Sequence, residues 1–192
     1  VVRTEFVRTL VAMAGPLQQG AVPRSGVDFS AQGIRSFLLF AAAEGSSCAV
    51  LFADIKAAFY SALPEVVLGR ILEDPVRDEV LGSIGFTEGE RLEFVADYLV
   101  GPARVVRAGA EPGWARVLAD WHRRCWFDVA DADARVEHFL GTRPGDPLAD
   151  LVFALCVAVM QSLLVAGMAA QGLLPAVDVR GDGLFGSPDG PV

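Results

Sequence analysis

Lysine is nearly missing from this 192-residue sequence: Lys56 stands alone beside 15 arginines. Acidic residues outnumber basic ones 24 to 16, which leaves a net charge of −8 and a sequence pI near 4.7. Such a balance argues against sequence-independent polyanion binding, because phosphate contacts need clustered cations. The arginine excess is readable as biased codon usage. With His122 and His138 the only histidines, a histidine-based metal cluster is excluded, and the pair His122/Cys125 supplies too few ligands for a closed zinc site. Cys48, Cys125 and Cys156 are odd in number and far apart, as expected of reduced thiols in an intracellular protein of nucleus or cytoplasm. No basic start leads into a short apolar stretch, so a secretory signal is not expected. The phosphate loop GxxxxGK[ST], the nucleophile elbow GxSxG and the zinc motif HExxH are all absent. Internal repeats and low-complexity segments are absent too.

What is present is apolar. Hydrophobic residues make up 53% of the chain and charged ones 21%, with a mean hydropathy of +0.42. That composition excludes disorder, a collagen-like repeat and a disulfide scaffold, and the length suits roughly one domain with a sizeable core. The sequence starts at Val1 and runs out at Val192 in Gly/Pro-rich sequence, as a piece of something longer would.

Helical spacing of Val2, Phe6, Leu10 and Met13 predicts a helix over 1–14, closed by Gly15-Pro16. A loop follows over 16–26. Asp28 or Ser30 is placed to cap a second helix, which carries Ile34, Phe37, Leu38 and Ala41 on one face and closes near Gly45. The short apolar run Cys48-Ala49-Val50-Leu51-Phe52-Ala53 suits a strand buried on both faces. Further helices are predicted over 64–73, starting on Pro64, and over 76–84, 88–100 and 112–124. Trp126 to Val129 and Arg135 to Leu140 alternate like the strands of a hairpin. The acidic group Asp128, Asp131, Asp133 and Glu137 does not have calcium-loop register, since Arg135 falls at a ligand position, and reads as a solvated turn. The longest helix, over 148–171, is almost wholly apolar. Its length is close to the roughly 20 residues a bilayer span needs, but Asp150, Gln161 and Gln171 recur near every three turns, which favours a core helix over a membrane segment. The class is helix-rich α+β with a small antiparallel sheet.

Asp54 directly follows the apolar run. A lone buried carboxylate costs several kcal/mol unless it is paired or metal-bound. At a strand end it can reach a cleft and hold Mg²⁺; equally, it can cap a helix N-terminus.

The stretch LFADIKAAFYSALPE resembles the first catalytic motif of reverse transcriptases: a strand, an Asp, four residues and an aromatic. Some 80 residues on, GTRPGDPLADLVFAL resembles their second motif, a Gly-x-x-x-Gly loop that enters a palm helix. The hairpin before that loop, and a Gly/Arg/Ser stretch before the first motif, fit the non-LTR retroelement type. The resemblance spans about 18–172. It implies a fingers-and-palm fragment: 1–45 as fingers-like helices, 46–175 as a palm-like core, and 176–192 as a flexible tail leading to a missing third motif. It implies Asp54 as catalytic metal ligand, with the Ile55 carbonyl as a further contact to Mg²⁺ or Mn²⁺. It makes Phe59 the aromatic beneath the incoming sugar, puts Arg143 and Gly145 at the nucleotide, and places Gly141 and Pro144 in the loop near the nascent base pair. RNA template, DNA primer and dNTP are the implied partners of the complete protein, with no membrane.

The chain departs from that pattern in three places. Pro144 stands where the family usually has Gln, and Ala149-Asp150 replaces Ser-Pro. The third motif, a hairpin with paired aspartates, is not found; Asp182 and Asp189 sit singly in glycine-rich sequence. The same sequence is open to a second interpretation, a catalytically dead relic or helical interaction module, and to a third, a membrane-associated helical protein.

Overall fold

The computed structural model describes residues 2–15, 18–23, 26–52, 54–123, 125–129, 134–142 and 146–173. Helices dominate, and among the described residues the only sheet is a two-stranded antiparallel hairpin. In chain order the elements are α1 (Val2–Met13), α2 (Val27–Ala43), α3 (Ala58–Ser61), α4 (Glu65–Leu68), α5 (Asp74–Ser83), α6 (Glu88–Phe94), α7 (Arg104–Arg107), α8 (Pro112–Arg123), β1 (Cys125–Asp128), β2 (Arg135–His138) and α9 (Ala149–Ala170).

The core forms around the first half of α9. Val152 and Leu155 are completely enclosed by Phe6 and Leu10 of α1, Val67 of α4, Val105 of α7 and Leu118 of α8. The 3.6-residue period of α1 brings Phe6 and Leu10 to one face, and that face is the one it buries. An ion pair locks the two helices at their starts: the Arg3 guanidinium donates to both oxygens of Asp150, at 2.9 and 2.6 Å. This contact also accounts for Asp150 at its unusual place in the second motif. Arg3 holds the Asp150 carboxyl below the usual carboxylate range. A smaller cluster of Leu81, Phe94 and Leu99 closes the other end, where α6 continues into a single π-helical turn over Val95–Leu99.

Local rules decide most of the boundaries. Thr87 and Glu90 form a reciprocal capping box at the start of α6. The second helix is not capped by Asp28 or Ser30; it begins at Val27, with Gly26 at the cap position and no side-chain bond there. The helix predicted from Pro64 to residue 73 stops at Leu68, because Gly69 turns to φ +74° against Ala103. The buried Glu65 then ties down the chain beyond, its Oε1 accepting from the Ile71 and Leu72 amides at 2.8 and 2.9 Å. In the hairpin, Trp126 pairs with Glu137 and Asp128 with Arg135. Arg135 both meets Asp128 at 3.1 Å and covers the Trp126 ring at 4.0 Å.

Two expectations change. Residues 48–52 form no strand, although the run is apolar throughout. A strand needs a hydrogen-bonded neighbour, and among the described residues none lies alongside; Leu51 and Phe52 are 91% and 80% exposed. The long apolar helix divides along its length: its start is core, whereas Met160, Leu163 and Leu164 are exposed. By length and composition α9 is able to cross a membrane; its first half is occupied as the centre of a packed core.

Candidate functional site

The two motif segments, 80 residues apart in sequence, meet through their backbones. The Gly141 amide donates to the Ala62 carbonyl at 2.7 Å, and the Thr142 amide donates to the Phe59 carbonyl at 2.6 Å. Gly141 adopts φ +85°, and a Cβ there would stand 2.5 Å from the Phe59 oxygen and 2.7 Å from the Tyr60 Cα. Only glycine fits such a close approach of two backbones. Thr142 is fully enclosed, and its hydroxyl has no hydrogen-bond partner among the described residues.

Side chains extend the junction. The Phe59 ring packs on Phe153 of α9, with centroids 4.9 Å apart. Phe59 keeps 37% of its surface open. An apolar cavity of about 330 Å³ is bordered by Ile55, Ala58, Ala62, Phe153, Cys156 and Met160. The Cys156 thiol donates to the Leu63 carbonyl at 3.6 Å. Burial pushes its pKa up to about 12, so the thiolate that nucleophilic chemistry needs is not populated near neutrality.

Asp54 is exposed and lies in irregular chain. It is therefore not at the end of a central strand, as the motif predicts, because residues 48–52 have no partner to make one. Nor does it cap a helix: α3 starts after Ala57, whose left-handed conformation (φ 52°, ψ 43°) makes the turn instead. Ile55 follows, also exposed. Arg143, Pro144 and Gly145 lie outside the described residues, as do Asp182 and Asp189.

The donor set does not make a metal centre by itself. Among the described residues no three His, Cys, Asp or Glu side chains converge on a point that could hold an ion. Two acids within the segment that resembles the second motif are committed elsewhere. Asp146 accepts from the Trp121 indole at 2.5 Å and from the Leu148 amide at 2.8 Å, and Asp150 is paired with Arg3. The His122/Cys125 pair is also tied to backbone. His122 Nδ1 lies 2.9 Å from the Leu118 carbonyl, which only accepts, so that nitrogen carries the proton. Cys125 donates to the His122 carbonyl at 3.7 Å.

Asp146 is the residue that sequence reasoning passed over as an organiser. Its bond to the Leu148 amide two residues on is the local turn that Asp commonly forms, but the Trp121 partner lies 25 residues away and carries no local mark.

No protein family, curated protein or solved structure matches this chain.

Proposed function

We propose that this chain is the fingers-and-palm portion of a reverse-transcriptase-like polymerase, serving RNA-templated DNA synthesis in a longer protein. The observation that carries the reading is the backbone junction of Phe59 and Ala62 with Gly141 and Thr142. Two segments that resemble the first and second motifs are required to serve one nucleotide, and here they touch. In this reading Phe59 is the platform for the incoming sugar. Phe153 buttresses the ring, and its exposed surface limits the space for a 2′-hydroxyl.

Asp54 is the one acid of the first motif that faces solvent and is free to serve at a nucleotide. In-line nucleotidyl transfer by this enzyme class uses a pair of metal ions held by several carboxylates. The residues described here do not supply that set. The reading therefore assigns this chain the positioning of nucleotide and template, and assigns the remaining carboxylates to sequence outside the described residues.

Nucleotide selection tests this directly. In the longer protein, Phe59→Ala is expected to raise incorporation of ribonucleotides relative to deoxyribonucleotides, since removal of the ring opens the 2′ side. A longer protein that extends no primer, or one whose selection is indifferent to Phe59, overturns the reading.

A second reading has its own observation. Leu51, Phe52, Phe29 and Leu39 are 91%, 80%, 67% and 72% exposed. An interaction module without catalysis uses such surface for a partner. It predicts that Asp54→Ala leaves every function of the longer protein intact.

A further inference from the structure

Five of the described cations are answered by a carboxylate. Arg3 pairs with Asp150, Arg70 and Arg77 with Asp74, Arg123 with Asp120, and Arg135 with Asp128. Arg104 and Arg107 are not: among the described residues no carboxylate oxygen lies within 4.0 Å of either guanidinium. The two stand side by side in a chain with eight more acids than bases.

They also share a cavity. Arg104 and Arg107 are three residues apart in α7, hence on the same face of one helical turn. Together with Met13, Ala158, Val159 and Ser162 they border a recess of about 330 Å³ between α1, α7 and α9, at the lower end of the range for small-ligand sites, which starts at about 300 Å³. The Arg104 guanidinium is oriented by the Tyr98 ring, 4.8 Å from its centroid, and its buried Nε has no hydrogen-bond acceptor among the described residues. Ser162 contributes no donor, because its hydroxyl proton is given to the Val159 carbonyl at 2.7 Å. The charged residues that border the recess are thus two arginines, and Met13, Ala108, Ala158 and Val159 supply its apolar lining.

We propose that this recess binds a phosphate group, free or as a monoester. Guanidinium forks match oxyanions in geometry as well as in charge. A phosphate carries about −1.5 to −2 at pH 7 and offsets both cations; a monocarboxylate leaves one of them unanswered. The site is separate from the Phe59–Gly141 junction and does not depend on any polymerase activity.

The test is thermal unfolding and calorimetric titration of the chain with inorganic phosphate, with acetate and chloride at matched ionic strength as comparisons. Phosphate is expected to raise the melting temperature and acetate is not, since a ligand that binds only the folded state stabilises it. The phosphate effect is expected to fade below about pH 6, where the dianion is protonated. Arg107→Gln, at an exposed position, should weaken phosphate binding at least about tenfold without altering the melting temperature in its absence. Arg123→Gln on α8 should not weaken it. Vesicles of phosphatidylcholine with and without phosphatidic acid identify the source: Arg107-dependent binding to the acidic vesicles alone assigns the phosphate to a lipid headgroup, and binding of free phosphate with no vesicle preference assigns it to a soluble ligand. Equal effects of phosphate and acetate, or a phosphate effect that survives Arg107→Gln, overturn the proposal.

Discussion

At the scale of single residues, Gly141 bears the largest consequence. Gly101 shares its φ of +85° but has open space where a Cβ would go, whereas at Gly141 that atom would meet the Phe59 carbonyl at 2.5 Å. Gly101→Ala should therefore cost only the left-handed strain of about 1–2 kcal/mol, and Gly141→Ala at least about 2 kcal/mol more, because a backbone contact cannot rotate away. Urea midpoints of the two variants measure the difference, and equal midpoints would mean that the junction yields freely. Glu65 makes a prediction of opposite character. Burial raises its pKa above the ordinary 4.5, and the two backbone amides and Arg77 only partly counter this. A carboxyl raised in the folded state binds its proton more tightly there than in the unfolded chain. Its contribution to stability is therefore greatest at low pH and is lost as pH rises from about 4.5 through the folded value. Asp74 and Asp150 are lowered, by Arg77 and Arg3 respectively, and act in the other sense, contributing above their ordinary 3.8 and losing that contribution as pH falls. Melting temperatures from pH 4 to 7 should accordingly fall less steeply, or rise more, in Glu65→Gln than in the parent chain. Parallel curves would contradict the assignment.

At the scale of elements, α9 is two helices in one as far as its surroundings go. Leu155 is fully buried and Leu164 is 60% exposed on the same 22-residue element. Leu155→Ala is expected to cost about 2–5 kcal/mol, and Leu164→Ala to stay within about 0.5 kcal/mol. Comparable losses at both sites would mean that the exposed half is covered in solution. Sequence periodicity made α1, α5, α8 and α9 readable to within a residue or two, since each shows a 3.6-residue pattern with a Gly, Pro or cap nearby. It did not show α7, a single turn whose role rests on packing Val105 into the core. The hairpin was legible because alternation and turn sit next to each other in sequence. The run at 48–52 misled for the complementary reason: apolar composition records what a segment would do with a partner, and local sequence says nothing about whether a partner is adjacent. The site followed the same division. Gly141 and Phe59 were visible as motif members, whereas the hydrogen bonds that join them, and the Trp121 anchor of Asp146, are tertiary.

At the scale of the whole molecule, the fold brings together the two segments that resemble polymerase motifs. Phe153 sits on α9 between the core residues Val152 and Ala154, its ring packs on Phe59, and the Phe59 carbonyl holds the Thr142 amide. Asp54, exposed and in irregular chain, belongs to no group of three or more metal-ligating side chains among the described residues. The most direct test is template-dependent primer extension in Mg²⁺ and in Mn²⁺, on RNA and DNA templates, by this 192-residue chain and by a longer protein that continues past Val192, each beside its Asp54→Ala variant. The account predicts no extension by the short chain, and extension by the longer protein that Asp54→Ala abolishes. Extension by the longer protein that survives Asp54→Ala, or none from it at all, would contradict the central claim.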